Sequence, residues 1–213
     1  MSGKPSQRCD DGSVAVDAAR WNHNIHYRPL ILRAAARSGC QRALDVGCGE
    51  GILARELRQL VPHVSAIDVD EPSIELARQA GSDVDYIVGD FLSYPFPPGS
   101  FDLVVSVAAL HHMNAARALD RMRELVRPGG QLLVVGLARG SYPADLPYEL
   151  AAAMTHRLHR LTKPYWEHSA PTLWPPPQTY REVRRLAGEM LPGVRYRRHL
   201  MWRYSLAWTK PRG

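Results

Sequence analysis

The sequence predicts an α/β fold built around a mostly parallel sheet. Short apolar runs alternate with helical stretches across residues 41–137, the pattern of successive βαβ units. The runs are close to continuously apolar, most clearly at Phe101–Val107, as befits strands covered on both faces. The first run, residues 43–46, ends in Gly47, Gly49 and Gly51 just before a helix begins, and a glycine-rich strand-to-helix turn is where such folds hold an anion or nucleotide.

Residues 14–38 read as one or two helices carrying Trp21-Asn22-His23-Asn24-Ile25-His26-Tyr27, and Pro29 permits a helix start or break there. After the first strand, Ile52, Leu53, Leu57, Leu60 and Val61 recur at helical spacing. Residues 64–67 form a second strand ending in Asp68, and Pro72 marks a helix start. Residues 84–88 form a third strand closed by Gly89-Asp90, and Phe101–Val107 the fourth. Residues 115–126 are an amphipathic helix, Pro128-Gly129-Gly130 a turn, and residues 131–137 the fifth strand. Crossovers should be right-handed. The regularity then breaks. Residues 139–177 are rich in Pro, Tyr, Trp and His around one helical piece, 146–161. Residues 178–190 are a helix, and 194–199 and 203–209 are strands near enough to pair antiparallel.

At 213 residues, 45% hydrophobic and 23% charged, the chain suits one domain with a full core and not a disordered segment. No apolar run approaches the ~18–20 residues of a membrane span. Residues 1–12 are polar, lack the apolar stretch of a secretory signal and read as a frayed tail. Cys9, Cys40 and Cys48 are odd in number and lack metal-ligand spacing, so a cytoplasmic protein without a metal is expected. A net charge of +6 can signal nucleic acid or acidic lipid. It is almost all arginine, with Lys4, Lys163 and Lys210 the only lysines beside abundant Ala, Pro and Leu. That reads as compositional drift, and no nucleic-acid or membrane partner is expected. The arginines at 181, 184, 185, 195, 197 and 198 read as a solvated face.

The glycine turn narrows the ligand. Dinucleotide binding needs G-x-G-x-x-G, whereas this chain has G-x-G-x-G with Ile52 where the next glycine would fall. Asp45 stands two residues before the turn, a poor neighbour for a pyrophosphate and a good one for an ammonium group. The ligand reads as a nucleoside carrying an amino acid. Asp68 falls about 20 positions past the turn, where a ribose diol is gripped. Asp90 can accept from an adenine amino group, and Phe91 can lie on the ring.

Six segments in order, 44–51, Ile67-Asp68, Gly89-Asp90-Phe91, 101–105, Ala109-Leu110-His111-His112-Met113 and 125–130, resemble the motifs of class I S-adenosylmethionine (SAM)-dependent methyltransferases. The resemblance spans residues 41–137. It implies a Rossmann-like seven-stranded, mostly parallel sheet with one antiparallel strand, helices on both faces and an N-terminal helical lid. It also implies SAM over the carboxyl ends of the first two strands, with S-adenosylhomocysteine as product. Asp45, Gly47 and Gly49, with Cys48 in the same loop, would line the methionine portion. Asp68 would meet the ribose, Val69, Asp90 and Phe91 the adenine, and Val107 the sulfonium.

Three groups face the acceptor in this reading. His111, after the fourth strand, is the candidate general base. His112 is a substrate contact, one ring of the pair pointing into the protein. Trp21 and His23 would reach the acceptor from the lid, while His26 and Tyr27 reach the SAM carboxylate or the acceptor. That segment resembles ones in actinobacterial tailoring methyltransferases; alternatively Trp21 and Tyr27 only pack on the sheet. Tyr165, Trp166 and Trp174, with Tyr142, Tyr148 and His168, suggest aromatic walls for a flat acceptor, or else Trp166 and Trp174 cap the core. Residues 1–38 are thus expected to be tail and lid, and 39–213 the SAM-binding domain with an acceptor-site insertion at about 139–177. The expected activity is methylation of a small indole- or phenol-like intermediate of secondary metabolism. An RNA or protein methyltransferase, and a non-catalytic SAM-binding module, are the other readings. Carbon, nitrogen and oxygen acceptors are all open, as is the oligomeric state.

Overall fold

The computed structural model describes residues 23–37, 39–143, 145–162 and 173–212. Trp21, Tyr165, Trp166 and His168 lie outside them, as does the side chain of His23. The elements in order are α1 (His23–Arg37), β1 (Arg42–Val46), α2 (Ile52–Arg58), β2 (His63–Asp68), α3 (Glu71–Gln79), β3 (Asp85–Val88) and β4 (Phe101–Val107). A 3₁₀ turn (Leu110–His112), α4 (Ala115–Leu125), β5 (Val126–Leu137), α5 (Leu146–Thr162), α6 (Tyr180–Met190), β6 (Arg195–His199) and β7 (Arg203–Thr209) follow. The strands form one seven-stranded sheet in the order β3-β2-β1-β4-β5-β7-β6. Pairing is parallel from β3 to β5, and β7 runs antiparallel to both neighbours. The expected fold class, the single antiparallel strand and the terminal strand pair are all present.

Local chemistry starts the helices where the turns require it. Asp70 accepts from Ser73 N at 3.1 Å with Pro72 in the first turn of α3. Asn114 accepts from Arg117 N at 3.1 Å to open α4. Thr179 and Glu182 form a reciprocal capping box at α6. Two apolar layers then bury the sheet. Leu119 and Met122 of α4 and Val183 of α6 pack over Val104, Leu132 and Leu206. On the other side Tyr27 and Ile31 of α1, Leu57 of α2 and Ile74 of α3 pack over Ala43, Ala66 and Val105.

Two expectations change. Pro29 does not break α1, which runs through it. Tyr27, Ile31 and Ala35 form one buried row four residues apart, and the exposed Pro29 sits off that row. Burial of the row holds the helix through the lost backbone bond. Likewise β5 begins at Val126 and absorbs the expected Pro-Gly-Gly turn as an irregularity, its pairing with β4 jumping from Phe101↔Val126 to Leu103↔Gln131. Gly129 N donates to Lys210 O and Lys210 N to Gly130 O, each at 2.9 Å, so the segment is bonded as sheet.

Asp102 locks the lower edge of this sheet. Its buried carboxylate accepts from Gln41 N at 2.7 Å and Arg42 N at 2.8 Å and pairs with Arg127, joining the starts of β1, β4 and β5. Asp102→Ala should lower the unfolding free energy by roughly 2–4 kcal/mol in urea denaturation, because two backbone donors lose a charged acceptor. Asp120→Ala, which breaks the exposed pair with Arg123, should change it by less than about 0.5 kcal/mol.

Candidate active site

A cavity of about 600 Å³ opens at the carboxyl ends of β1, β2, β3 and β4, a size suited to a small ligand. The turn after β1 forms its floor. Gly47 has φ +72°, and a Cβ added there would stand 2.2 Å from Ala109 Cβ. Gly51, φ +71°, faces the Tyr86 ring, whose hydroxyl would lie 2.5 Å from such a Cβ. Both positions need glycine. Gly47 N and Cys48 N donate to Ile67 O at 2.9 and 3.2 Å, and Gly49 N donates to Asp68 Oδ2 at 2.8 Å. The turn is therefore strapped to the end of β2.

Asp45 lies beneath it, 2% exposed and lining the cavity. Its Oδ2 has no hydrogen-bond partner among the described residues. Burial pushes the carboxyl up to about 7, Asp68 adding to the effect and the Arg28 guanidinium opposing it. A buried acceptor left unmade costs ~1–3 kcal/mol, so the pocket is built for a donor that arrives from the cavity. Arg28 of α1 lines the same cavity, also buried, with Nη1 3.4 Å from Glu56 Oε1 of α2. A carboxylate and a guanidinium at one end of a cavity match the ammonium and carboxylate of an amino acid. The residues present fit the methionine end of SAM.

The other expected cofactor contacts gather on the same walls. Gly49, Cys48, Asp68, Val69, Asp90, Phe91 and Val107 all line the cavity. Asp68 Oδ1 accepts from Asp70 N at 3.0 Å while Oδ2 holds Gly49, so it shapes the loop as well as facing the ribose position. Asp90 accepts from Leu92 N at 2.9 Å, a turn that lets Phe91 bury itself against the core.

His26 and Tyr27 do not line the cavity. Tyr27 is buried and donates its hydroxyl to Leu200 O at 2.8 Å, its ring 4.9 Å from that of His199. His26 is exposed, edge-on to Tyr27 at 4.8 Å. Their neighbour Arg28 takes the cavity position, together with Ile25 one turn earlier. Sequence reasoning passed over Arg28. The signal was the three-residue spacing of Ile25 and Arg28 against the four-residue row that starts at Tyr27.

The histidine pair is likewise rotated. His112 lines the cavity and His111 does not. His111 is buried, its ring 4.1 Å from that of His112, and its Nδ1 has no hydrogen-bond partner among the described residues. Burial, then His112 and Arg203, push it down to about 4, so it is neutral near pH 7. The 3₁₀ turn buries Leu110 and His111 together and leaves the next ring outward. Trp174 stands outside the cavity, exposed and edge-on to Trp202 at 6.2 Å; Tyr142 and Tyr148 are also exposed and off its walls. Among the described residues no group of His, Cys, Asp and Glu is placed to hold a metal ion.

The chain is similar to known proteins. Residues 44–134 match the methyltransferase domain family. An uncharacterized methyltransferase of Mycobacterium tuberculosis is 42% identical over 194 residues, covering 90% of this chain and 98% of the relative. A demethylmenaquinone methyltransferase of Renibacterium salmoninarum is 29% identical over 136 residues, 63% of this chain and 56% of that protein. Among solved structures, a Pyrococcus horikoshii protein superposes with a TM-score of 0.62 at 18% identity, covering 85% of this chain and 87% of its own, a likeness of fold.

The raised Asp45 carboxyl gives a signed prediction. Below about pH 7 the free protein holds a proton there, whereas a ligand ammonium favours the carboxylate. Binding of S-adenosylhomocysteine should therefore expel a proton, and affinity should climb by up to about tenfold per pH unit from pH 5.5 toward 7, then level. Calorimetry in buffers of differing ionisation enthalpy reads the released proton. Asp45→Asn should abolish both effects, and pH-independent binding by the unaltered protein would contradict the assignment.

Proposed function

Because this chain belongs to the class I SAM-dependent methyltransferases, we propose that it methylates a small aromatic acceptor, an indole- or phenol-like intermediate of secondary metabolism. The observation that carries the reading is the mixed lining of one cavity. Asp45 and Arg28 suit the charged groups of an amino acid, and Val107, Ala109, His112 and Met113 also line it. SAM supplies a methyl group on a positively charged sulfur. The protein's own work is alignment of the acceptor and exclusion of water. Met113 and Val107 offer apolar contact to a flat ring, and His112 faces the space where its hydroxyl or ring N–H would lie. His112 accepts that proton as the bond to carbon forms. His111, neutral and buried behind it, positions the His112 ring through a tilted ring contact at 4.1 Å. The relative named for demethylmenaquinone accords with a ring acceptor. Of the expected tail and lid at 1–38, the described part, α1, serves as a wall of the cofactor cavity through Ile25 and Arg28; residues 1–22 lie outside the described residues.

The test is S-adenosylhomocysteine formation across phenols, hydroquinones, indoles, transfer RNA and a protein extract. Turnover should be confined to the small ring compounds; methylation of the macromolecules alone would overturn the reading. With the best acceptor, His112→Ala should lower kcat by about 10²-fold or more while S-adenosylhomocysteine affinity stays the same. His111→Ala should lose less turnover than His112→Ala. Full turnover by His112→Ala on a hydroxyl acceptor would remove it as the base.

A further inference from the structure

A second cavity residue carries an unmatched buried group. Ser73, in the first turn of α3, is 1% exposed and lines the same cavity as Asp45. Its Oγ has no hydrogen-bond partner among the described residues. The helix start is complete without that hydroxyl. Ser73 N donates to Asp70 Oδ2 and Ile74 N to Asp70 O, each at 3.1 Å. A buried hydroxyl without a partner costs stability, and alanine would form the same turn without that cost.

The neighbours of Ser73 identify the group it would meet. Asp70 links it to Asp68, because Asp70 N donates to Asp68 Oδ1 at 3.0 Å while Asp70 Oδ2 holds Ser73 N. Asp68, Val69, Asp70 and Ser73 all line the cavity beside the end of β2, where the ribose is expected. A diol there meets a carboxylate, which only accepts. Each ribose oxygen that donates to Asp68 keeps lone pairs that call for a donor. Gly49 N and Asp70 N are committed to Asp68, at 2.8 and 3.0 Å, and Ser73 N to Asp70. Pro72 has no N–H to offer. Of the donors in this group, the Ser73 hydroxyl is the one left over.

We propose that Ser73 Oγ donates to a ribose hydroxyl of SAM, so that the diol is gripped from two sides, by an acceptor at Asp68 and a donor at Ser73. The proposal rests on Asp68 facing the ribose and does not depend on the acceptor class.

Titration of the unaltered chain and of Ser73→Ala with S-adenosylhomocysteine and its 2′-deoxy and 3′-deoxy forms tests it, beside thermal unfolding of each chain without ligand. Ser73→Ala should weaken S-adenosylhomocysteine by about three- to tenfold, the effect of one hydrogen bond. The same substitution should make no difference to one of the two deoxy forms, the one that lacks the oxygen Ser73 meets. Without ligand, Ser73→Ala should unfold at the same temperature as the unaltered chain or higher, because its hydroxyl has no partner to lose. Unchanged affinity of Ser73→Ala, or equal weakening of all three ligands, would overturn the proposal. So would a lower unfolding temperature of the ligand-free variant, since the hydroxyl would then serve the fold.

Discussion

Position 47 must be free of a side chain, because Ala109 arrives from the end of β4 in the space a Cβ would fill. That close approach draws the ends of β1 and β4 together and sets the floor of the cavity. The rest of the floor follows from it. Ile67 O takes two donors from the turn, Asp68 takes a third, and the loop cannot drift from β2. With the loop held, Asp45 has nowhere to turn its second oxygen and keeps it buried and unmatched. The folded protein bears that cost where a ligand removes it, as sites of function commonly do.

Much of this was legible in the chain. Strand and helix alternate because a parallel sheet needs crossovers, so apolar periodicity alone located the order of elements. Asp45 stood out because a carboxylate beside a glycine turn repels phosphate. The remainder depended on rotations of a third of a turn. In α1 the sequence shows three polar or aromatic candidates in succession, His26, Tyr27 and Arg28. Only the burial of Tyr27 against Ile31 and the sheet decides that Arg28 meets the cavity. In His111-His112 one ring goes in and one out, and the 3₁₀ pitch after β4 decides which. The Pro-Gly-Gly segment reads as a turn until the partner backbone of Lys210 is known. Each case is a local ambiguity resolved by a tertiary contact.

Helices α1 and α5 share one anchor, the β6–β7 turn. Met201 and Trp202 both adopt left-handed backbone, φ +56° and +57°, without being glycine, a conformation held only where the surroundings over-determine it. Here Leu200 O receives Tyr27 from α1, the indole of Trp202 reaches Glu149 of α5, and Arg203 Nη1 donates to Met201 O at 3.2 Å. Helices α1 and α5 thus rest on the same short turn, whose neighbour Arg203 also acts on His111.

The central claim is that Asp45 and Arg28 read the amino-acid end of the cofactor. Titration with S-adenosylhomocysteine and with 5′-methylthioadenosine, which lacks that end, tests it most directly in the unaltered chain, Asp45→Asn and Arg28→Gln. The account predicts that the unaltered chain strongly prefers S-adenosylhomocysteine, and that each substitution narrows the gap by weakening that ligand while leaving 5′-methylthioadenosine unchanged. Equal affinity for the two ligands in the unaltered chain, or substitutions that weaken both alike, would contradict it.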